Sequence, residues 1–262
     1  MGRIEKARIA GKINREAIKH GFAYAKPGIS LLDLDKFLEC YILENGGTPA
    51  FKGYKGFPGA SCLSVNNVAV HGVPNEYQLK VADNLTIDIG TIYEGMYADS
   101  ARTQVIEHAN ILDHLNIHTE TILAWQIQIL RPGITLLDIA ERGEQGLKLA
   151  REHIQAVSPL GPNMNLVESL GGHYIGEKLH LDPFIPNTLD YRKGGLSVEI
   201  QKKRYRNHFL QEGDIICIEP VTTMGPTDLT IGPDGWTCST KNTSSHFEHM
   251  ILITENGHEI LT

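Results

Sequence analysis

The sequence predicts an α+β protein made of two related halves that lend acidic residues to a common interior. Three observations predict it. KPGISLLDL (26–34) reappears as RPGITLLDI (131–139), much farther along the chain than the ~20–50 residues of a solenoid repeat, so each copy marks half of a domain. DNLTIDIG (83–90) is echoed by GDIICIEP (213–220), with Asp83 to Asp88 spaced as Asp214 to Glu219. Finally, each of these β-branched runs carries an acid where an apolar residue is expected.

Taken in order, MGRIEKARIAGKINREAIKHG alternates charged and apolar residues at helical spacing. That pattern ends at Lys26-Pro27-Gly28, because proline cannot continue a helix, and Ser30 then caps a second helix beginning Leu31-Leu32-Asp33. Arg131-Pro132-Gly133, with Thr135 capping Leu136-Leu137-Asp138, repeats the device. Next comes LTIDIGTIYEGMYADSART (85–103), where Glu94-Gly95 is suited to a two-residue hairpin turn. That turn pairs Tyr93 with Met96 and Gly90 with Asp99, so Asp88 and Asp99 share a face as diagonal neighbours about 7–8 Å apart at the backbone. In the second half, IICIEPV puts Glu219 on the face of Cys217, and HFEHMILIT puts Glu248 on the face of Met250 and Leu252. GGHYIG (171–176) adds His173 between glycines that permit close backbone approach. Residues 1–262 show no Ser/Gly linker, so the expectation is one domain with antiparallel strands meeting centrally and helices outside.

Two carboxylates on one hairpin face repel each other, so that face is either solvated or holds a cation. A lone histidine between glycines is structural or a ligand. Four strand-borne carboxylates with one imidazole favour the ligand reading, because two divalent ions would neutralise four acids and form a hydrolytic centre. Such an oxygen-rich set suits Mn, Fe, Co or Zn.

Bulk composition narrows the class. The chain has 262 residues, 41% of them hydrophobic, enough for a sizeable core. A net charge of −7 argues against a dedicated nucleic-acid binder, and the basic run 202–206 reads as a solvated face. Cys40, Cys62, Cys217 and Cys238 form no CxxC pair, which fits a reduced cytoplasmic protein without a disulfide frame or zinc knuckle. The N-terminus lacks the apolar stretch of a signal peptide, Lys6 stands where a myristoylation signal wants Ser or Thr, and no segment is long enough to span a bilayer.

SVNNVAVHGVP (64–74), IDIG with ADSART, GGHYIGEKLH (171–180), CIEP (217–220), DGWT (234–237) and FEHMILIT occur in the order that resembles a type I methionine aminopeptidase of the pita-bread (creatinase) fold, from about residue 3 to the C-terminus. The resemblance implies Asp88 on one metal, Asp99 and Glu248 bridging, and His173 and Glu219 completing the second, with two divalent ions per subunit. It further implies that His71 contacts the substrate backbone, that His180 donates to the developing oxyanion, and that Glu219 moves a proton to the leaving amine after attack by a metal-activated hydroxide. The methionine side chain would enter a pocket of Tyr54, Phe57, Cys62, Leu179 and Trp236, with a small second residue preferred.

The expected role is removal of initiator methionine from nascent proteins in the cytoplasm by a monomer, at the ribosome or after release, without membrane or specific nucleic-acid partners. No zinc-finger extension precedes the catalytic motifs, so docking through one is not expected.

Some residues depart from the family pattern. Tyr174 replaces a glycine and threatens to crowd the centre, Leu179 and Phe57 replace a common aromatic and a common tyrosine, and 187–213 is a longer segment read as an exposed hairpin. The competing readings are a proline-specific peptidase of the same fold and a non-catalytic pita-bread binding protein. Proline peptidases carry a further N-terminal domain, and the non-catalytic relatives lose ligands.

Overall fold

The computed structural model describes residues 1–107, 112–157, 163–189 and 198–262. The first half opens with helices α1 (Arg3–Tyr24) and α2 (Leu31–Glu44), followed by β1 (Thr48–Pro49), β2 (Ser61–Val65), β3 (Val68–Val70), β4 (Asn84–Tyr93) and β5 (Met96–Val105). The second has helices α3 (Leu112–Gln128) and α4 (Leu136–Val157), then β6 (Met164–Leu166), β7 (Gly171–Tyr174), β8 (Leu181–Pro186) and helix α5 (Val198–Arg206). It closes with β9 (Ile215–Ile218), β10 (Val221–Met224), β11 (Thr230–Ile231), β12 (Cys238–Ser239), β13 (Ser244–His246), β14 (His249–Thr254) and β15 (Gly257–Ile260). This is the predicted α+β arrangement of helices with antiparallel strands.

The two sequence echoes fold alike down to individual hydrogen bonds. Ser30 Oγ accepts from Asp33 N, and Thr135 Oγ1 accepts from Asp138 N, each capping its helix as expected. Gly28 N donates to Leu79 O at 2.8 Å, and Gly133 N donates to Leu210 O at 2.9 Å. Ser30 bridges Gln78 as Thr135 bridges Phe209. Past these turns, Ala82 N bonds Ile106 O where Gly213 N bonds Ile253 O. Strand β4 is thereby matched by β9 with β10, and β5 by β13 with β14.

In the first half β4 pairs with β5 on one side and with β2 and β1 on the other. The order β15-β14-β9-β7-β8 forms the main sheet of the second half. Ala101 of β5 and Glu248 exchange backbone hydrogen bonds, Glu248 N to Ala101 O at 2.9 Å, so the two sheets meet edge to edge. Their shared apolar cluster takes Met96 and Ala98 from one half and Ile175, Cys217, Met250 and Leu252 from the other. Helix α1 lies over the hairpin, and its buried Asn14 bonds Ile89 O and Ser100 Oγ. The wall of the site is therefore braced from behind by buried hydrogen bonds.

Two expectations change here. Part of the proposed exposed hairpin over 187–213, residues 190–197, lies outside the described residues. Where 198–206 is described it is helix α5, with Tyr205 buried and Lys203, Arg204 and Arg206 exposed. The alternation of β7 answers the concern over Tyr174. His173 and Tyr174 point to opposite faces, and the Tyr174 hydroxyl bonds His208 Nε2 at 3.1 Å and Asp214 Oδ2 at 3.4 Å. Its ring packs in the second-half core, so it does not crowd the centre.

Candidate metal centre

The hairpin sets the first two acids where strand register demanded. Glu94 and Gly95 both have positive φ, 44° and 83°, as a tight primed turn requires. Gly90 then faces Asp99, Asp88 faces Ala101, and both carboxylates lie on the interior side, 8% and 3% exposed. Glu219 follows β9, where Pro220 interrupts the ladder by removing a donor, and Glu248 precedes β14 at the bridge to Ala101. The second-half acids thus sit at strand breaks rather than within strands, which the sequence did not foretell. His173 reaches the same space because Gly172 lets β7 lie against β9: a Cβ there would collide with the Cys217 carbonyl.

All five predicted ligand side chains converge. His173 Nε2 is 3.5 Å from Glu219 Oε1 and 4.0 Å from Asp99 Oδ2. Oxygens of Asp88, Asp99 and Glu248 lie within 4.8 Å of one another. Burial alone pushes Asp88 up to about 8, and burial with the neighbouring acids holds Asp99 and Glu248 well above the usual carboxylate range.

Do these residues fit a cation? Asp88 Oδ1, Asp99 Oδ1 and Glu248 Oε1 are buried without a hydrogen-bond partner among the described residues. Such oxygens are costly unless something positive completes them. His173 Nδ1 bonds the Tyr174 carbonyl at 3.0 Å; since a carbonyl only accepts, Nδ1 carries the proton and Nε2 presents a lone pair to the acids. Burial also lowers the pKa of His173 to about 4, keeping it a neutral donor. Three acids with unpartnered oxygens, joined by Glu219 and one imidazole, are the donor set of a borderline divalent ion.

A cleft of about 560 Å³ opens onto this cluster. Its apolar side includes the five predicted pocket residues Tyr54, Phe57, Cys62, Leu179 and Trp236. Phe57, Cys62 and Leu179 are buried, and Phe57 meets Trp236 edge-on at 5.3 Å between centroids. Pairing of β3 with β12 brings VHGVP beside DGWT, so His71 stands over Trp236 at 6.3 Å. His71 occupies the left-handed region with φ 57°, a strained state for a side-chain-bearing residue, and such strain gathers at functional sites. Surrounding protein lowers its pKa, although the ring is exposed at the cleft mouth. His180 stacks beside His173 with centroids 4.3 Å apart, and its Nδ1 is hydrogen-bonded to the Tyr54 hydroxyl at 3.0 Å.

One residue at the centre escaped the sequence reading. His246 is 2% exposed, with Nε2 3.8 Å from Glu219 Oε2 and 3.9 Å from Glu248 Oε2. Burial, and then His71, lower its pKa to about 3. It stands two residues before Glu248, so strand alternation was the signal that could have found it.

Comparison with known proteins agrees with this geometry. A family model described as Metallopeptidase family M24 matches residues 5–255. The chain is 36% identical to a methionine aminopeptidase of Mycoplasma capricolum, covering 99% of this chain and 95% of the relative. It is 33% identical to methionine aminopeptidase 1 of Mycobacterium tuberculosis, covering 100% of this chain and 92% of that one. Among solved structures, methionine aminopeptidase from Thermotoga maritima superposes with TM-score 0.85 at 31% identity, over 99% of this chain and 96% of that chain. A prolidase from Pyrococcus furiosus superposes at 0.70 with 22% identity, over 99% of this chain and 63% of its own, which shows a shared fold. M24 metallopeptidases bind divalent metal, and the fold is the pita-bread one. The chain belongs to metallopeptidase family M24, among its methionine aminopeptidases.

Proposed function

We propose that this chain hydrolyses the bond after an N-terminal methionine, acting on nascent proteins and peptides whose second residue is small. The observation that carries the reading is the adjacency of an apolar pocket to five convergent metal-type donors. Asp88, Asp99, His173, Glu219 and Glu248 would hold two divalent ions of the Co, Mn, Fe or Zn kind. Bound there, the metal supplies an activated water at neutral pH and polarises the scissile carbonyl. The protein's own groups do the remainder. Phe57, Cys62, Leu179 and Trp236 take the thioether and exclude water, and Tyr54 orients His180. His180 donates a hydrogen bond to the carbonyl oxygen as charge develops, while His71 fixes the substrate backbone at the cleft mouth. Glu219, beside the imidazoles of His173 and His246, passes a proton to the departing amine.

We read 1–262 as one catalytic domain, working as a cytoplasmic monomer on chains at or after the ribosome. No described helix is long and apolar enough to cross a membrane. The test is chelation followed by metal add-back, scored by methionine release from Met-Gly-Met with a Gly-Pro peptide in parallel. Methionine release that stops and returns with metal supports the reading. Cleavage confined to the Gly-Pro peptide would hand the chain to the proline peptidases, and no cleavage at all would make it a binding protein.

A further inference from the structure

The internal duplication makes His246 more than a neighbour of the centre. In the first half Gly90 pairs with Asp99; in the second Val221 pairs with His246. These pairs correspond, because Asn84 faces Val105 as Ile215 faces Leu252, and both ladders run on from there without a change of register. His246 thus occupies the place in its hairpin that Asp99 occupies in the other. Its surroundings leave it without an ordinary structural task. Neither ring nitrogen has a hydrogen-bond partner among the described residues, although the residue is almost fully buried. At 3.8 and 3.9 Å, its Nε2 is too far from Glu219 and Glu248 for hydrogen bonds to their carboxylates. Two ligands each ~2.1 Å from one ion stand about 3–4 Å from each other, which is the separation seen. The ring approaches Glu219 Oε2 while His173 approaches Oε1, so the two imidazoles flank one carboxylate.

We propose that His246 Nε2 is a sixth protein ligand of the metal centre, a second imidazole donor to the ion held by Glu219 and Glu248. This rests on the proposed ligand set above. A second nitrogen tilts the site from oxygen-preferring Mn toward Fe, Co or Zn.

The test uses full-length apoprotein titrated with Co(II), followed by calorimetry and by X-ray absorption that counts imidazoles per ion. Three surface histidines, His114 and His118 on α3 and His153 on α4, bring ring nitrogens within 4.8 Å of one another and could take an ion of their own. Every protein titrated therefore carries His153→Ala. The expected result is two imidazoles at one bound ion, falling to one in His246→Gln, with affinity there weakened at least about tenfold. One imidazole in the unsubstituted centre, together with unchanged Co(II) affinity in His246→Gln, overturns the inference. Should His246→Gln not fold, the imidazole count of the parent protein decides alone. Asp99→Asn and His173→Gln separate the two layers. If both keep full Co(II) affinity, the ligand set itself is wrong; if both lose it while His246→Gln does not, only the sixth ligand falls.

Discussion

The two halves share a frame and divide the labour unequally. Where β4 runs unbroken from Asn84 to Tyr93, its counterpart is split by Glu219-Pro220 into β9 and β10. The first hairpin closes on Glu94-Gly95, whereas the second is joined by the excursion 225–243 that carries Trp236 across to β3. Matching positions carry different chemistry: Asp88 answers to Glu219, Asp99 to His246, Ala101 to Glu248, and Ser64 to His173. In the proposed ligand set the first half supplies two aspartates, and both imidazoles and both glutamates come from the second. The shared register sets where paired side chains point, and the residue at each place decides the chemistry. A donor set of mixed hardness needs no new backbone, only unequal residues at paired places.

The sharpest break of this comparison is at Asp99, the first-half acid that comes within 4.0 Å of His173. Asp99→Ala should remove metal binding and lower kcat/KM by about three orders of magnitude or more, since metal assistance is worth several kcal/mol. Methionine release at saturating metal measures it, and near-normal turnover would show that the first half contributes no essential ligand.

A second effect comes from the stability of the chelated protein. The acids and the imidazoles were shifted in opposite directions by the same burial. Asp88, raised from 3.8 to about 8, binds a proton in the folded state that the unfolded chain has released. Its contribution is full below pH ~4 and lost as pH rises through about 8. His173 and His246 run the other way, for their lowered values of about 4 and about 3 give stability present above 6.5 and lost as pH falls. Above pH 6.5 each imidazole adds only the last few tenths of a kcal/mol, so the acid effect dominates. The metal-free protein should therefore lose about 1.5 kcal/mol through Asp88 between pH 6.5 and 8, more with Asp99 and Glu248 included. Added divalent metal should flatten the dependence, because it replaces the protons. Thermal melts with and without chelator decide it; a chelated protein that grows steadier toward pH 8 would contradict the buried charge cluster.

Trp236 tests the loop that only the second half possesses. Trp236→Ala removes an edge-to-face contact with Phe57 and part of the pocket wall, while leaving the acids in place. KM for Met-Gly-Met should rise up to about tenfold with a smaller change in kcat, since such aromatic pairs are worth about 0.5–1.5 kcal/mol beyond burial. Equal losses in kcat would put Trp236 in the chemistry instead of the pocket.

How legible was this in the sequence? The hairpin was, because a two-residue turn with period-two alternation determines register from local information alone, and Gly90 does face Asp99. The helix caps were legible for the same reason. What failed was non-local. The bridge between Ala101 and Glu248 joins strands far apart in sequence, and nothing local announces it. Pro220 was visible, yet its effect on the ladder depends on whether its edge needed a donor. His246 had the parity of Glu248, but its meaning rests on the opposing half. Helix α5 replaced an expected hairpin over residues with few apolar partners to set a period.

The smallest predicted difference lies in the two caps, where the repeat is nearly literal. In both, the hydroxyl accepts from the backbone N–H three residues on, at 3.1 Å, and also bonds that residue's carboxylate. Only in the second does the loop close fully, because Asp138 Oδ2 also accepts from Thr135 N at 2.8 Å. Removing a capping hydroxyl costs about 1 kcal/mol. Thr135→Ala leaves Asp138 able to hold the Thr135 backbone N–H, so its carboxylate keeps one neutral partner at the cap. Ser30→Ala takes from Asp33 the hydroxyl it bonds, leaving its exposed carboxylate to water and, among the described residues, to the Lys36 amine at 3.9 Å. The first-half cap should therefore be the more sensitive by a few tenths of a kcal/mol, with each variant melting about 2–4 °C below the parent. Metal-loaded protein at one pH gives the comparison; a Thr135→Ala loss clearly exceeding that of Ser30→Ala would mean the reciprocal bond depends on the hydroxyl itself.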